Sequence, residues 1–215
     1  MKSIGIILAG GVGSRMQATC PKQYLELNQK EVISYSIDAF KKASSLDYFF
    51  IVMNDDSIQR RRVEIQYGVD TIVGGCTRNE SFRRALDYIS SEHSDCEKVF
   101  VNEAARPMIT PKIIDDYMHL LNAYDYIYSC SPITDSLETV TGEFADRNDF
   151  RLVRSPEGYR FKNINQYFTS DSNTTFPGHT LPKSNKGYPY TDYKNNMKLT
   201  YMEDVRFIEY LLERL

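Results

Sequence analysis

At 215 residues the chain is long enough for one α/β domain with a sizeable core. Hydrophobic residues make up 41% and charged residues 26%, an ordinary globular balance, and a net charge of −3 argues against wholesale binding to nucleic acid or to a membrane surface. Cys20, Cys76, Cys96 and Cys130 are widely separated, His93, His119 and His179 lack zinc-ligand spacing, and neither a signal peptide nor a membrane-length apolar run is legible, so reduced thiols and a cytoplasmic location are expected.

The chain opens on Ile4–Leu8, an apolar run that predicts a buried mid-sheet strand. It leads into Gly10, Gly11 and Gly13, which let the backbone approach a ligand closely. Arg15 follows, and then Lys22 behind Pro21. Bare N–H groups and two cations at the carboxyl end of a strand suit a polyphosphate. The loop is not a P-loop, because Gly13 is followed by Ser14 and Arg15, and Met16 occupies the third glycine position of the dinucleotide fingerprint.

Beyond the loop, Glu31–Ala43 predicts a helix with Val32, Ile33, Ile37 and Phe40 on one face, and Tyr48–Val52 a strand. A charged helix over Ser57–Gln66 carries Arg60, Arg61 and Arg62 as a solvated face. Thr71–Val73 reads as a third strand, a helix follows from about Asn79 with Phe82, Ala85, Leu86 and Ile89 inward, and Lys98–Val101 is a fourth strand. Thr110 caps the next helix, which starts at Pro111. This alternation predicts a three-layer α/β/α fold on a mostly parallel sheet. Tyr126–Ile133 then reads as a strand, and Leu137–Val140 and Phe144 flank Thr141-Gly142 as a hairpin would. Arg151–Val153 is another strand, Thr169–Tyr190 a long loop and Asn196–Leu199 a last short strand. Thr200 and Glu203 form a capping box for a final helix with Val205, Ile208, Leu211 and Leu212 inward.

Three further loops fall at predicted carboxyl ends of strands, where open α/β sheets bind ligands. They are Gly74-Gly75-Cys76-Thr77-Arg78-Asn79-Glu80-Ser81, Val101-Asn102-Glu103-Ala104-Ala105-Arg106-Pro107 and Asn196-Met197-Lys198-Leu199-Thr200, with Glu203-Asp204 just beyond. Together with Leu8-Ala9-Gly10-Gly11-x-Gly13-x-Arg15-Met16 and Pro21-Lys22-Gln23-Tyr24-Leu25, they resemble the signature of the cytidylyltransferases that activate sugar-alcohol phosphates. These are the methylerythritol-4-phosphate cytidylyltransferases and their ribitol-5-phosphate relatives, and the resemblance covers nearly all of the chain.

The resemblance implies a Rossmann-like nucleotidyltransferase fold over residues 1–215, with residues 133–155 forming a protruding β-arm that embraces the second subunit of a homodimer. It implies that Leu8, Ala9, Gly10, Gly11 and Gly13, with Gly74, Gly75, Arg78 and Ser81, hold the nucleotide. Arg15 and Lys22 would face the triphosphate of CTP, Lys198 its α-phosphate, and Glu103 falls on the Mg²⁺-binding aspartate. Arg106, Ser136, Arg147 and Ser155 fall to the acceptor, a small polyol phosphate. There are departures as well. Asn102-Glu103 stands for His-Asp, and Ser155-Pro156-Glu157-Gly158-Tyr159 stands for Thr-Pro-Gln-x-Phe. The family's Thr-Asp-Glu-Ala segment has no clear counterpart.

The reaction implied is in-line attack of an acceptor phosphate oxygen on the α-phosphorus of CTP, with pyrophosphate leaving. An anionic nucleophile needs no general base. Two other readings stand beside it: a nucleotidyltransferase using another nucleoside triphosphate, and a catalytically silent nucleotide-binding paralogue with Glu103 as its first lesion. A glycosyltransferase would usually show Asp-x-Asp, and no two aspartates are so spaced.

Overall fold

The computed structural model describes residues 2–11, 13, 16 and 20–214. Its elements run β1 (Lys2–Leu8), β2 (Glu26–Leu27), β3 (Lys30–Glu31), α1 (Val32–Lys42), β4 (Tyr48–Met53), α2 (Ser57–Tyr67), β5 (Asp70–Val73), α3 (Arg78–Glu92) and β6 (Cys96–Glu103). They continue with α4 (Pro111–Leu120), β7 (Tyr126–Pro132), β8 (Leu137–Glu138), β9 (Phe144–Ala145), β10 (Arg151–Arg160), α5 (Phe161–Tyr167), β11 (Gly187–Tyr190) and α6 (Asp204–Leu212).

Side-chain alternation along β1 accounts for the layers. Ile7 faces one side, with Ile33, Ile37 and Phe40 of α1, Val63 of α2 and Ile114 and Tyr117 of α4. Ile4, Ile6 and Leu8 face the other, with Phe82, Leu86 and Ile89 of α3 and Ile164 of α5. A strand buried on both faces has to be apolar throughout, and β1 is. The expected three-layer α/β/α arrangement is the one observed. A satellite cluster of Leu27, Val32, Leu199 and Ile208 packs beneath α6.

The seven-stranded sheet has the order β11-β7-β10-β6-β1-β4-β5. It is mostly parallel, β10 alone running antiparallel to both its neighbours, β6 and β7. From β1 the chain steps outward through β4 and β5, then returns across β1 to β6. The strand order therefore reverses between β1 and β6, where Leu8 lies opposite Glu103. Open α/β sheets bind ligands at such a switch point.

Four local readings are corrected. Thr169–Tyr190 is not one long loop, because it contains a 3₁₀ turn over Pro177–Thr180 and β11. Pro189 is tolerated within β11 because this is an edge strand, where the missing N–H costs no ladder bond. Asn196–Leu199 is not a strand; it is irregular, tied to the sheet's rim by Leu199 N–H donating to Ala105 O at 2.8 Å. The capping box is not formed by Thr200 and Glu203 either. The Asp204 carboxylate accepts the N–H groups of Thr200 and Tyr201, both at 2.8 Å. β10 is also longer than the three residues expected, running from Arg151 to Arg160, so the hairpin itself is only β8 and β9. Among the described residues no helix is long and apolar enough to cross a membrane.

Candidate active site

Backbone bonds at the end of β1 splay the chain out of the sheet. Ala9 N–H donates to Val52 O at 2.8 Å, and Ala104 N–H donates to Leu8 O at 2.9 Å. The Gln23 amide then donates to Ala9 O at 2.9 Å from a buried position, pinning the glycine loop from behind. Gly13 sits at φ +69°, a left-handed conformation that only glycine adopts freely. Lys22 crosses the gap, its Nζ donating to Leu199 O at 3.3 Å, so the opening loop and the 196–199 segment meet through one cation.

The second wall depends on Gly75. A Cβ there would lie 2.2 Å from Glu80 Cβ, so only glycine lets the first turn of α3 fold back this closely. Thr77 Oγ1 accepts from Glu80 N–H at 3.1 Å, and Glu80 Oε2 accepts from Cys76 N–H at 2.9 Å, a reciprocal helix cap. Ser81 Oγ accepts from Gly75 N–H at 3.1 Å.

These loops enclose a cavity. Of the residues singled out from sequence, Leu8, Ala9, Gly10, Gly11, Lys22, Gly75, Arg78, Ser81, Glu103 and Lys198 line it together. Gly13 and Gly74 lie beside it, against Lys22 and Ser81 respectively. Arg15 lies outside the described residues. A second cavity, of about 480 Å³, adjoins the first through a shared wall of Arg78, Glu103 and Lys198, and Arg106 and Ser155 line it. Ser136 and Arg147 line neither cavity. Both are exposed at the arm, where the Arg147 guanidinium is held by the Thr134 carbonyl. Sequence reasoning missed Cys76, Thr77, Ala104 and Ala105 as lining residues of the first cavity, and Arg151, Arg154, Glu157 and the Thr174–His179 side of the second. The first four stood inside motifs already quoted. Arg154 and the 174–179 segment carried no local pattern, and only the tertiary fold brings them there.

Charge in the shared wall is organised around Glu103. Its Oε1 lies 3.0 Å from Arg78 Nε, and its Oε2 lies 2.6 Å from Lys198 Nζ and 3.8 Å from Arg106 Nε. Burial by itself would raise its pKa, but the Arg78, Lys198 and Arg106 charges prevail and hold the carboxyl at about 2. On its other side Arg78 Nη2 reaches Glu157 Oε1 at 2.6 Å, and Tyr159 Oη donates to Glu157 Oε2 at 2.8 Å. Burial pushes the Glu157 carboxyl up despite these partners. Arg106 Nη1 is fixed by Asn196 O and Oδ1, both at 3.0 Å. Asn102, which departs from the resemblance, is fully buried and donates to Ser36 Oγ at 3.1 Å, away from both cavities.

No three His, Cys, Asp or Glu side chains come together among the described residues. A divalent ion held entirely by protein is therefore not supported. One carboxylate beside a set of cations fits a different kind of site, in which substrate phosphates supply most of the oxygens around Mg²⁺.

Comparison with known proteins agrees over the whole chain. A family model described as 2-C-methyl-D-erythritol 4-phosphate cytidylyltransferase matches residues 4–214. A ribitol-5-phosphate cytidylyltransferase of Lacticaseibacillus paracasei is 26% identical, covering 97% of each chain. A 2-C-methyl-D-erythritol 4-phosphate cytidylyltransferase of Azobacteroides pseudotrichonymphae is 30% identical, again covering 97% of each. Among solved structures, the 4-diphosphocytidyl-2C-methyl-D-erythritol synthase of Anaerococcus prevotii superposes with a TM-score of 0.83 at 18% identity, over 99% of this chain and 96% of that one. At that identity the likeness speaks for the fold.

Proposed function

The chain belongs to the 2-C-methyl-D-erythritol 4-phosphate cytidylyltransferase family, a CTP-dependent nucleotidyltransferase, and we propose that it transfers CMP to a single sugar-alcohol phosphate, methylerythritol 4-phosphate or ribitol 5-phosphate, in the second cavity. The observation that carries this reading is the wall shared by the two cavities, where Lys198, Arg78 and Glu103 face both. A nucleotide α-phosphate and an acceptor phosphate have to meet in line, and adjoining cavities with cations between them suit that meeting.

An oxygen of the acceptor phosphate attacks the α-phosphorus of CTP, forming the new P–O bond. The bond from the α-phosphorus to the bridging oxygen of the β-phosphate breaks, and pyrophosphate leaves with the electron pair. The difficulty is the charge gathered at a five-coordinate phosphorus, and cations fixed in advance lower it. Lys22 is assigned to the triphosphate and Lys198 to the α-phosphate. Glu103 is the residue that would hold Mg²⁺, which when bound supplies charge neutralisation on the phosphate oxygens. The exposed apolar side chains of the arm, Val140 and Phe144, at 107% and 86% of full exposure, are assigned to contact with a second copy.

The test is pyrophosphate release with Mg²⁺ and CTP against methylerythritol, ribitol and glycerol phosphates, with UTP, ATP and GTP in parallel and Glu103→Ala as control. Turnover with CTP and one acceptor, lost in the control, is expected. CTP binding without turnover on any acceptor would refute the proposal in favour of a silent binder.

A further inference from the structure

The second cavity has a charge arrangement that the shared wall does not explain. About 480 Å³ is within the usual size of a small-molecule site. Two carboxylates, Glu103 and Glu157, line it; Arg78 engages both, and Lys198 and Arg106 engage Glu103 as well. Arg106 is held by Asn196. That leaves Arg154, and beside it Arg151, with no carboxylate of their own. Among the described residues Arg154 makes no ion pair, and it lines the cavity together with Arg106. An arginine that lines a cavity with no carboxylate partner suits an anionic ligand.

The Thr174–His179 part of the lining is a built surface. Phe176 packs against Tyr128, with ring centroids 5.1 Å apart. Thr174 Oγ1 and His179 Nδ1 are 3.1 Å apart. The segment is tied directly to the nucleotide loop, because Arg78 Nη1 donates to Thr175 O at 3.1 Å and Asn79 Nδ2 donates to Ser172 O and Thr174 O at 3.0 and 2.9 Å. Hydroxyl and imidazole groups lining the same cavity as Arg154 suit a molecule with a phosphate at one end and hydroxyls along the rest.

We propose that Arg154 is a specificity-determining residue that grips the phosphate of the acceptor, supplied by the same subunit that binds the nucleotide, while the Thr174–His179 segment faces the acceptor's hydroxyls. This rests on the reaction given above and adds to it the residue that selects a phosphate monoester. A guanidinium pairs two oxygens of a phosphate at once and leaves the third to attack. Arg154 lies immediately before Ser155, whose Oγ accepts the N–H of Glu103 at 3.1 Å, so the grip is joined to the shared wall through one residue.

Steady-state kinetics of Arg154→Leu and Arg154→Lys with ribitol 5-phosphate and methylerythritol 4-phosphate test this. In Arg154→Leu the KM of the acceptor should rise about tenfold to a hundredfold, the effect of losing a charged hydrogen bond. The KM for CTP should stay within about twofold, and Arg154→Lys should recover part of the loss. An unchanged acceptor KM, or equal changes for CTP and acceptor as a merely structural residue would give, overturns the proposal. If the parent turns over neither acceptor, the reaction assignment falls and Arg154 is judged by calorimetric binding of ribitol 5-phosphate. Binding at least tenfold weaker in Arg154→Leu then supports the grip, whereas equal binding, or none by the parent, overturns it.

Discussion

Replacing Arg78 by methionine would show how far the shared wall depends on one guanidinium. The side chain would no longer reach Glu157 at 2.6 Å or Glu103 at 3.0 Å, leaving Glu157, 3% exposed, with only the Tyr159 hydroxyl. Breaking a buried ion pair by removing one partner costs about 3–5 kcal/mol. Arg78 keeps 23% of its side chain open to the cavity and Glu103 retains Lys198, so the loss should fall near the lower end, about 3 kcal/mol. The sign of the pH dependence follows from linkage. Without Arg78 the folded Glu157 has a pKa still further above its ordinary 4.5. Stability is then fully present below the ordinary value and is lost as pH rises through the raised one. The variant should therefore regain stability as pH falls from neutral toward the ordinary carboxylate value of 4.5. The parent should show the opposite trend further down, because Glu103 is depressed from 4.5 to about 2 and its contribution is lost as pH falls through that window. Urea unfolding followed by circular dichroism at each pH measures both. Adding Glu157→Gln to the variant should recover part of the loss by removing the stranded charge. A variant within about 0.5 kcal/mol of the parent at neutral pH, with no gain in mild acid, would refute the reasoning.

Gly75→Ala places a Cβ 2.2 Å from Glu80 Cβ and 3.1 Å from its carbonyl carbon. The first turn of α3 must shift, so CTP affinity measured by calorimetry should fall about tenfold or more while the far-ultraviolet spectrum is retained. Asp115 accepts from Ser45 N–H and Oγ at 2.9 and 2.6 Å and from Ser44 N–H and Oγ at 3.3 and 3.0 Å. Asp115→Ala should therefore lose about 1–2 kcal/mol in urea unfolding at neutral pH, allowing for partial exposure. Burial would raise this carboxyl, but the Ser45 and Ser44 hydrogen bonds hold it below its ordinary 3.8, so the stabilisation is lost as pH falls from there and the two proteins should converge in acid. Cys76 is exposed and lines the first cavity. CTP should slow its alkylation by a maleimide, with Cys76→Ser marking its share of the labelling; undiminished labelling at saturating CTP would place the nucleotide elsewhere.

The parts of the fold that could be read from sequence were those governed by local chemistry. Unbroken apolar runs at Ile4–Leu8 and Tyr48–Val52 became strands buried on both faces, and Thr110-Pro111 opened a helix whose cap bond, Thr110 Oγ1 accepting from Ile113 N–H, measures 3.4 Å. The first cavity was legible for a similar reason, since its glycines and Lys22, Arg78 and Lys198 sit within short motifs. What could not be read was set by distant neighbours. Pro189 is acceptable only because β11 has one partner, β7. Leu199 is held by a single bond to the rim of the sheet, so the 196–199 stretch looks like a strand in its residues without being one. Arg154 and His179 stand twenty-five positions apart with no motif around either, yet both line the second cavity because β10 runs through the sheet beside β7, on whose Tyr128 ring the 174–179 segment packs.

Two departures from the family pattern, Glu157 for Gln and Tyr159 for Phe, look unrelated in the sequence and belong together in the structure. A second carboxylate buried beside the shared wall carries a desolvation cost that a neutral amide does not. The structure meets it on both sides. Arg78 takes one oxygen at 2.6 Å, and the hydroxyl that Tyr159 has and phenylalanine lacks takes the other at 2.8 Å. Glu103 fits the same scheme. Its carboxylate meets Arg78 and Lys198, which come from opposite walls of the first cavity. Arg78 thus lies between two carboxylates, one facing the cavities and one buried behind it. With its charge answered by Glu157, Arg78 can hold one oxygen of Glu103 in place while Lys198 pairs with the other at 2.6 Å. On this account Glu157 and Tyr159 act as a pair. Reverting Tyr159 to phenylalanine alone would leave one oxygen of a buried carboxylate without its donor, whereas reverting both residues restores an amide that needs neither partner.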